Sequence, residues 1–159
     1  MKNFTKTLYS MLMVMVSLFT LMFFCSCDNE EEKIQAFHDK VVESQECLDA
    51  VADDIYSYWY DAIYKDQYGG DIDKAILYAQ MDNSENLNII ELNETEIQSL
   101  YKEVRESDLS VEVKAVMSAY SDYYEFVVNV SGSFKSYSAD KETLKKELAS
   151  ALKDLALEL

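Results

Sequence analysis

The chain has 159 residues, 14 of them basic and 30 acidic, for a net charge of −16. That balance excludes a grip on nucleic acid or on an anionic membrane surface, since both need clustered positive charge. Basic proteins, neutral sugars and cations stay open as partners, and an acidic face that only keeps the protein soluble is the plainer use of the charge.

The chain opens MKNFTKTLYS, with Lys2 and Lys6 as its only charges, and runs into MLMVMVSLFTLMFF. A short basic head before an apolar run is the plan of a secretory signal. A spanning helix needs about 20 apolar residues. The run from Leu8 to Phe24, with Ser10, Ser17 and Thr20 inside it, lies at the short end, so length alone leaves an uncleaved anchor open. The next residues, Phe24-Cys25-Ser26-Cys27, resemble the lipobox of bacterial lipoproteins, in which a small residue precedes the cysteine that receives a diacylglyceryl group. Phe24 and Cys25 stand where an aliphatic and a small residue are usual. The resemblance implies cleavage after Ser26 and lipidation of Cys27, with several acyl chains giving stable anchoring. Asp28-Asn29-Glu30-Glu31-Glu32 is similar to the acidic export tract of surface-exposed lipoproteins of Bacteroidota. Carboxylates favouring the N-terminus of a following helix account for the same residues. The expected location is the cell envelope, at the outer membrane, with the membrane touched through the lipid.

The expected domains are a signal peptide at 1–26, a lipidated cysteine with an acidic tether at 27–32, and a single folded domain at 33–159. Loss of the signal removes two lysines and no acids, so the mature body is more negative than the precursor. Acylation of Cys27 leaves Cys47 alone, which forbids an intramolecular disulfide; Cys47 reads as a small packing residue. A tether of about five residues reaches about 17 Å at most, so the domain is expected to stand close to the membrane.

No proline and only Gly69, Gly70 and Gly132 punctuate the chain, which favours long helices. The first is expected over 30–67. Ile34, Phe37, Val41, Leu48, Val51, Ile55, Tyr58 and Ala62 keep a three-four spacing, with Ser44 as the polar intruder. Unbroken, it would span about 57 Å, so a bend near Ser44–Glu46 or a projecting end is expected. Gly69-Gly70-Asp71 stops it, and Asp71 caps a second helix, DIDKAILYAQM. The stretch 82–93 reads as a loop around Leu87, Ile89, Ile90 and Leu92. Asn93 and Glu96 have the spacing of a capping box, opening a helix through Ile97, Leu100 and Val104. Another helix starts near Val111, presents Val113, Val116, Tyr120, Tyr123, Val127 and Val130, and ends at Gly132. The last starts near Ser138 and carries the cleanest stripe, Leu144, Leu148, Ala151, Leu152, Leu155 and Leu159. These elements predict an all-α fold, an antiparallel bundle of four or five helices with a long first helix.

Chemistry-bearing patterns are sparse. His38 is the sole histidine and reads as an exposed or core-edge residue, not a general base. No serine-nucleophile signature, phosphate loop or zinc spacing occurs, so no catalytic residue, metal site or cofactor is assigned. Asp71 and Asp73 lack the glycine and distal glutamate of a calcium loop. Acidic pairs such as Asp53 and Asp54 leave carboxylate-based hydrolysis of envelope polymers as a remote option. The densest feature is aromatic: Tyr56, Tyr58, Trp59, Tyr60, Tyr64 and Tyr68, joined later by Tyr120, Tyr123, Tyr124 and Phe126. Tyr56, Tyr60 and Tyr64 share one side of the first helix, while Ile55, Trp59, Ala62 and Ile63 cover the adjoining one. Rings ending in hydroxyls suit the half-wet edge of a small core; they also suit a contact patch for a protein or glycan. The expected contact residues are Tyr56, Tyr60 and Tyr64, with Trp59 and Gly132 structural.

WYDAIY (59–64), with NVSGSFKSYS (129–138) and a terminal amphipathic helix, resembles a pattern in small helical, often secreted bacterial proteins. There the second element reads Asn-Pro-Ser-Gly-Ser. Val130 replaces the proline here, so the helix before it is expected to run on toward Gly132. The resemblance implies that the Ser131-Gly132-Ser133 turn packs near the Trp59 helix, and it implies no activity. The function expected is a lipid-anchored envelope protein that binds a protein or glycan. The alternative is an immunity or exclusion lipoprotein that blocks a basic toxin or phage component.

Overall fold

The computed structural model describes residues 28–159. The expected signal segment and the lipidation position Cys27 lie outside the described residues. Five α-helices follow one another: α1 (Asp28–Tyr64), α2 (Ile72–Asp82), α3 (Ser84–Val104), α4 (Ser110–Val128) and α5 (Phe134–Glu158), with a short 3-10 turn at Gln67–Gly70 after α1. There are no strands among the described residues. The acidic tract is not an extended tether: Asp28 opens α1, and Glu30, Glu31 and Glu32 lie in its first turns. Negative charge is favourable there, against the positive end of the helix dipole.

Cross-helix pairs set the directions. Going back along α1, Tyr58 meets Asp82, Asp54 meets Asn83, Lys40 meets Glu96 and Lys33 meets Glu103. α2 and α3 are therefore one descending arm, antiparallel to α1 along its whole length. Ser44 and Asp49 of α1 meet Tyr120 and Tyr123 of α4, so α4 runs parallel to α1. Ala52, Asp53 and Asp49 bond to Tyr137, Lys141 and Lys145, so α5 descends. The result is an up-down-up-down bundle with a jointed second arm, and α1 touches every other helix. Phe37, Leu48, Ile55, Ile90, Ile97, Leu148 and Leu155 are among its fully buried side chains.

Several expectations need correction. α1 runs without a break through Ser44–Glu46. Ser44 is fully buried, and its hydroxyl lies 3.2 Å from that of Tyr120, so the polar intruder finds its partner inside the core and the helix continues. The stretch 82–93 is not a loop but the joint and first half of α3, and Asn93 is a buried residue in mid-helix, not a cap. α4 stops at Val128, four residues short of Gly132. α5 begins at Phe134, not Ser138, because Ser133 and Ser136 form a capping box. The serine at the fourth place of that box does the work usually given to glutamate or glutamine.

The joint itself is Asn83. Its Nδ2 donates to Asp54 Oδ2 at 2.7 Å and to the Ala79 carbonyl at 3.0 Å, while its Oδ1 accepts from Asn86. One buried amide thus ties the end of α2, the start of α3 and the side of α1 together. Asn83→Ala is expected to cost about 1–3 kcal/mol, since it removes three side-chain hydrogen bonds at the joint. The urea midpoint of the helical signal measures it, and an unchanged midpoint would mean that the joint is held by packing alone.

Candidate partner-binding end

α1 spans 37 residues, or about 55 Å, so its two ends are far apart. The starting end is acidic: Glu30, Glu31, Asp108 and Glu158 surround Ile34 and Leu159 in a depression of about 300 Å³. The far end is aromatic. Tyr56, Tyr60 and Tyr64 fall on one stripe of α1, and Phe134, the first residue of α5, lies across them at 5.1, 6.2 and 6.1 Å between ring centroids. Tyr60 and Tyr64 are 4.7 Å apart.

Exposure grades along the row. Tyr56 is half-buried, with the Lys141 ammonium 4.7 Å from its ring centre. Tyr60 is 39% and Tyr64 63% exposed. Of the expected contact residues, Tyr56 is therefore mostly packing, while Tyr60 and Tyr64 present rings to solvent. Ile63, placed with the covered side from its spacing, is exposed as well. Trp59 is 4% exposed and packs against Phe134 and Tyr137 at 6.0 and 5.5 Å, a structural position. The turn before α5 does lie beside it: Trp59 shares a cleft with Val130, Ser131 and Gly132. Gly132 holds φ +89°, and a Cβ there would meet Ser136 Oγ at 2.9 Å, so the capping box needs glycine at this place.

Phe134 lies outside the apolar stripe of α5 and has no local signal of its own, because the capping box starts the helix four residues before Ser138. Ser133 and Ser136, three apart, were the available signal.

A second aromatic file covers the α2 side. Tyr58 stacks on Tyr68 at 5.4 Å, Tyr68 lies 5.8 Å from Tyr78, and the Tyr58 hydroxyl donates to Asp82. That bond pushes the Tyr58 phenol up to about 12. The chain reverses between α1 and α2 through positive φ at Asp66, Tyr68, Gly69 and Gly70, a conformation that costs a non-glycine residue roughly 1–2 kcal/mol. The reversal delivers Asp71, whose carboxylate accepts from the Lys74 amide as the cap of α2.

Between the two files opens a cleft of about 520 Å³, with Trp59 in its wall and Asp71, Asp73, Ile76, Val130 and Gly132 around it. Among the described residues, no group of three or more His, Cys, Asp or Glu side chains could hold a metal ion, and no helix is long and apolar enough to cross a membrane. Among the described residues His38 pairs with its neighbour Asp39, and Asp53 is engaged by Lys141. No family model, curated protein or solved structure matches this chain.

Proposed function

We propose that the protein is a lipid-anchored lipoprotein of the bacterial envelope that binds a partner through the end of its bundle remote from the lipid, without catalysing a reaction. The observation that carries the reading is the pair Tyr60 and Tyr64, exposed and held in place by Phe134. Rings that are fixed before binding lose little freedom on contact, and aromatic residues are favoured at the centres of interfaces. The anchor supplies geometry: with lipid on Cys27, α1 would carry these rings away from the membrane and toward a partner.

Two experiments test it. Capture from envelope extract by the full chain should fall at least tenfold with Tyr64→Ala and with Tyr60→Ala, while helical circular dichroism stays unchanged. Undiminished capture by both variants would end the assignment of the contact. Cys27→Ala should leave a larger precursor or release the protein from membranes; unchanged size and fractionation would remove the anchor. The excess of acidic over basic residues favours a second reading, an immunity or exclusion lipoprotein against a basic toxin or phage component. Binding would then weaken steeply with salt, and flat salt dependence would count against it.

A further inference from the structure

We infer that the outward face of α2 pairs with the same face of a second copy of this chain, the two helices lying antiparallel. The inference goes beyond the partner-binding reading, since it uses none of the Tyr60, Tyr64 and Phe134 rings. It starts from an inversion: α2 turns small residues inward and large ones outward. Its buried side chains are Ala75 and Ala79, while Leu77 is 53%, Tyr78 38% and Met81 59% exposed. A surface helix ordinarily does the reverse.

Ala75, Ala79, Asn83, Leu87 and Ile90 make one inward stripe that runs through the joint into α3. The opposite stripe therefore runs through it too: Lys74, Tyr78, Met81 and Glu85, all exposed, with Leu77 beside them. Steps of four, three and four residues are those of a two-helix seam. Its two ends carry opposite charge. Turned end for end about the middle of the stripe, a second copy sets its Glu85 against Lys74 and its Lys74 against Glu85. Tyr78 of each copy then meets Met81 of the other, a favourable contact of thioether with ring. This is the self-complementary patch that a two-fold pair requires.

Other occupants match less of the face. A basic partner would set its cations against Lys74, and an acidic one would set its carboxylates against Asp73 and Glu85. The inverted copy satisfies both signs, which offsets the repulsion between two bodies of net charge −16. The seam from position 74 to position 85 is about 17 Å long, so the pair belongs with small, transient interfaces. With lipid on Cys27, the two anchors would lie at opposite ends of the pair, and the pairing would join copies on facing membranes.

Sedimentation of the full chain in detergent, over rising protein concentration, tests the pairing. It should show reversible exchange between monomer and dimer. Met81→Asp should abolish the dimer with helical circular dichroism unchanged. Leu157→Asp, at another exposed apolar position near the opposite end, should leave it intact. Lys74→Glu and Glu85→Lys should each weaken pairing about tenfold, because symmetry counts each change twice and turns attraction into repulsion. The two changes together should restore it. A chain that is monomeric at every concentration overturns the inference. So does a dimer that survives Met81→Asp, since the contact then lies elsewhere, and so does a double variant no tighter than the single ones. If the chain stays monomeric while Met81→Asp loses a protein captured from extract, the inference falls in favour of a different partner on this face.

Discussion

Replacing Trp59 by alanine is expected to cost about 3–5 kcal/mol of stability, while Tyr64→Ala costs less than about 1 kcal/mol. The two residues lie little more than one helical turn apart on α1, so the contrast tests burial and not position along the chain. Trp59 is 4% exposed and wedged between Phe134 and Tyr137. Its removal opens a cavity where α1 meets the start of α5, and surrounding side chains close such cavities only in part. Against a total stability of about 5–15 kcal/mol, the loss could leave the variant partly unfolded at 37 °C. Tyr64 meets the rings of Tyr60 and Phe134 and is mostly in solvent. Urea unfolding followed by helical circular dichroism measures both. A Tyr64→Ala cost equal to that of Trp59→Ala would move the row into the core and remove it as a contact surface.

Above pH 10 the bundle is expected to lose stability steeply. Burial holds the phenols of Tyr120, Tyr123 and Tyr137 well above their ordinary range, and the bond from Tyr123 to the Asp49 carboxylate, 2.8 Å long, raises Tyr123 further. In the unfolded chain all three ionise near pH 10. Their folded values are raised, so the stability they contribute is fully present below about pH 10. It is lost as pH rises further, because the unfolded chain then releases protons that the folded chain retains. Each group is worth about 1.4 kcal/mol per pH unit, so three together remove about 4 kcal/mol per unit once the pH has passed 10. Tyr58, pushed up to about 12 by its bond to Asp82, acts in the same direction. Tyrosinate absorbance should therefore rise together with loss of the helical signal. A bundle fully helical at pH 11.5 with all its tyrosines ionised would show that these phenols are not shielded as the fold requires.

The parts of the fold legible in the sequence are those where apolar spacing is uninterrupted. The stripes of α1, α4 and α5 follow from the three-four periodicity of Ile34 to Ala62, Val113 to Val127 and Leu144 to Leu155, and nearly all of those side chains are buried or packed against the core. The first half of α3 was not legible, for a physical reason. Its core face carries Leu87, Ile90 and then Asn93, a buried amide where the pattern calls for an apolar residue, while Leu92 is 72% exposed. Crowded apolar residues with one on the wrong face look like a short strand or a loop. What makes the segment helical is its packing along α1, fixed by the amide of Asn83 and the pairs of Lys40 with Glu96 and Lys33 with Glu103.

At the partner-binding end, the sequence placed Tyr56, Tyr60 and Tyr64 on one side of α1 but could not grade their exposure. That grading depends on Phe134, brought from 70 residues downstream of Tyr64 by the serine capping box, and on Lys141, whose ammonium covers Tyr56. Both are long-range contacts with no local signature. The cleft is of the same kind: its walls come from α1, from the start of α2 and from the turn before α5.

The central claim is that the aromatic end of the bundle, not the acidic end, meets the partner. The most direct test places a photo-crosslinking phenylalanine analogue at Tyr64 or at Leu157, an exposed position beside the acidic end, in the full chain within intact cells. The account predicts a discrete adduct from position 64 and none from position 157. An adduct from position 157 alone would contradict it.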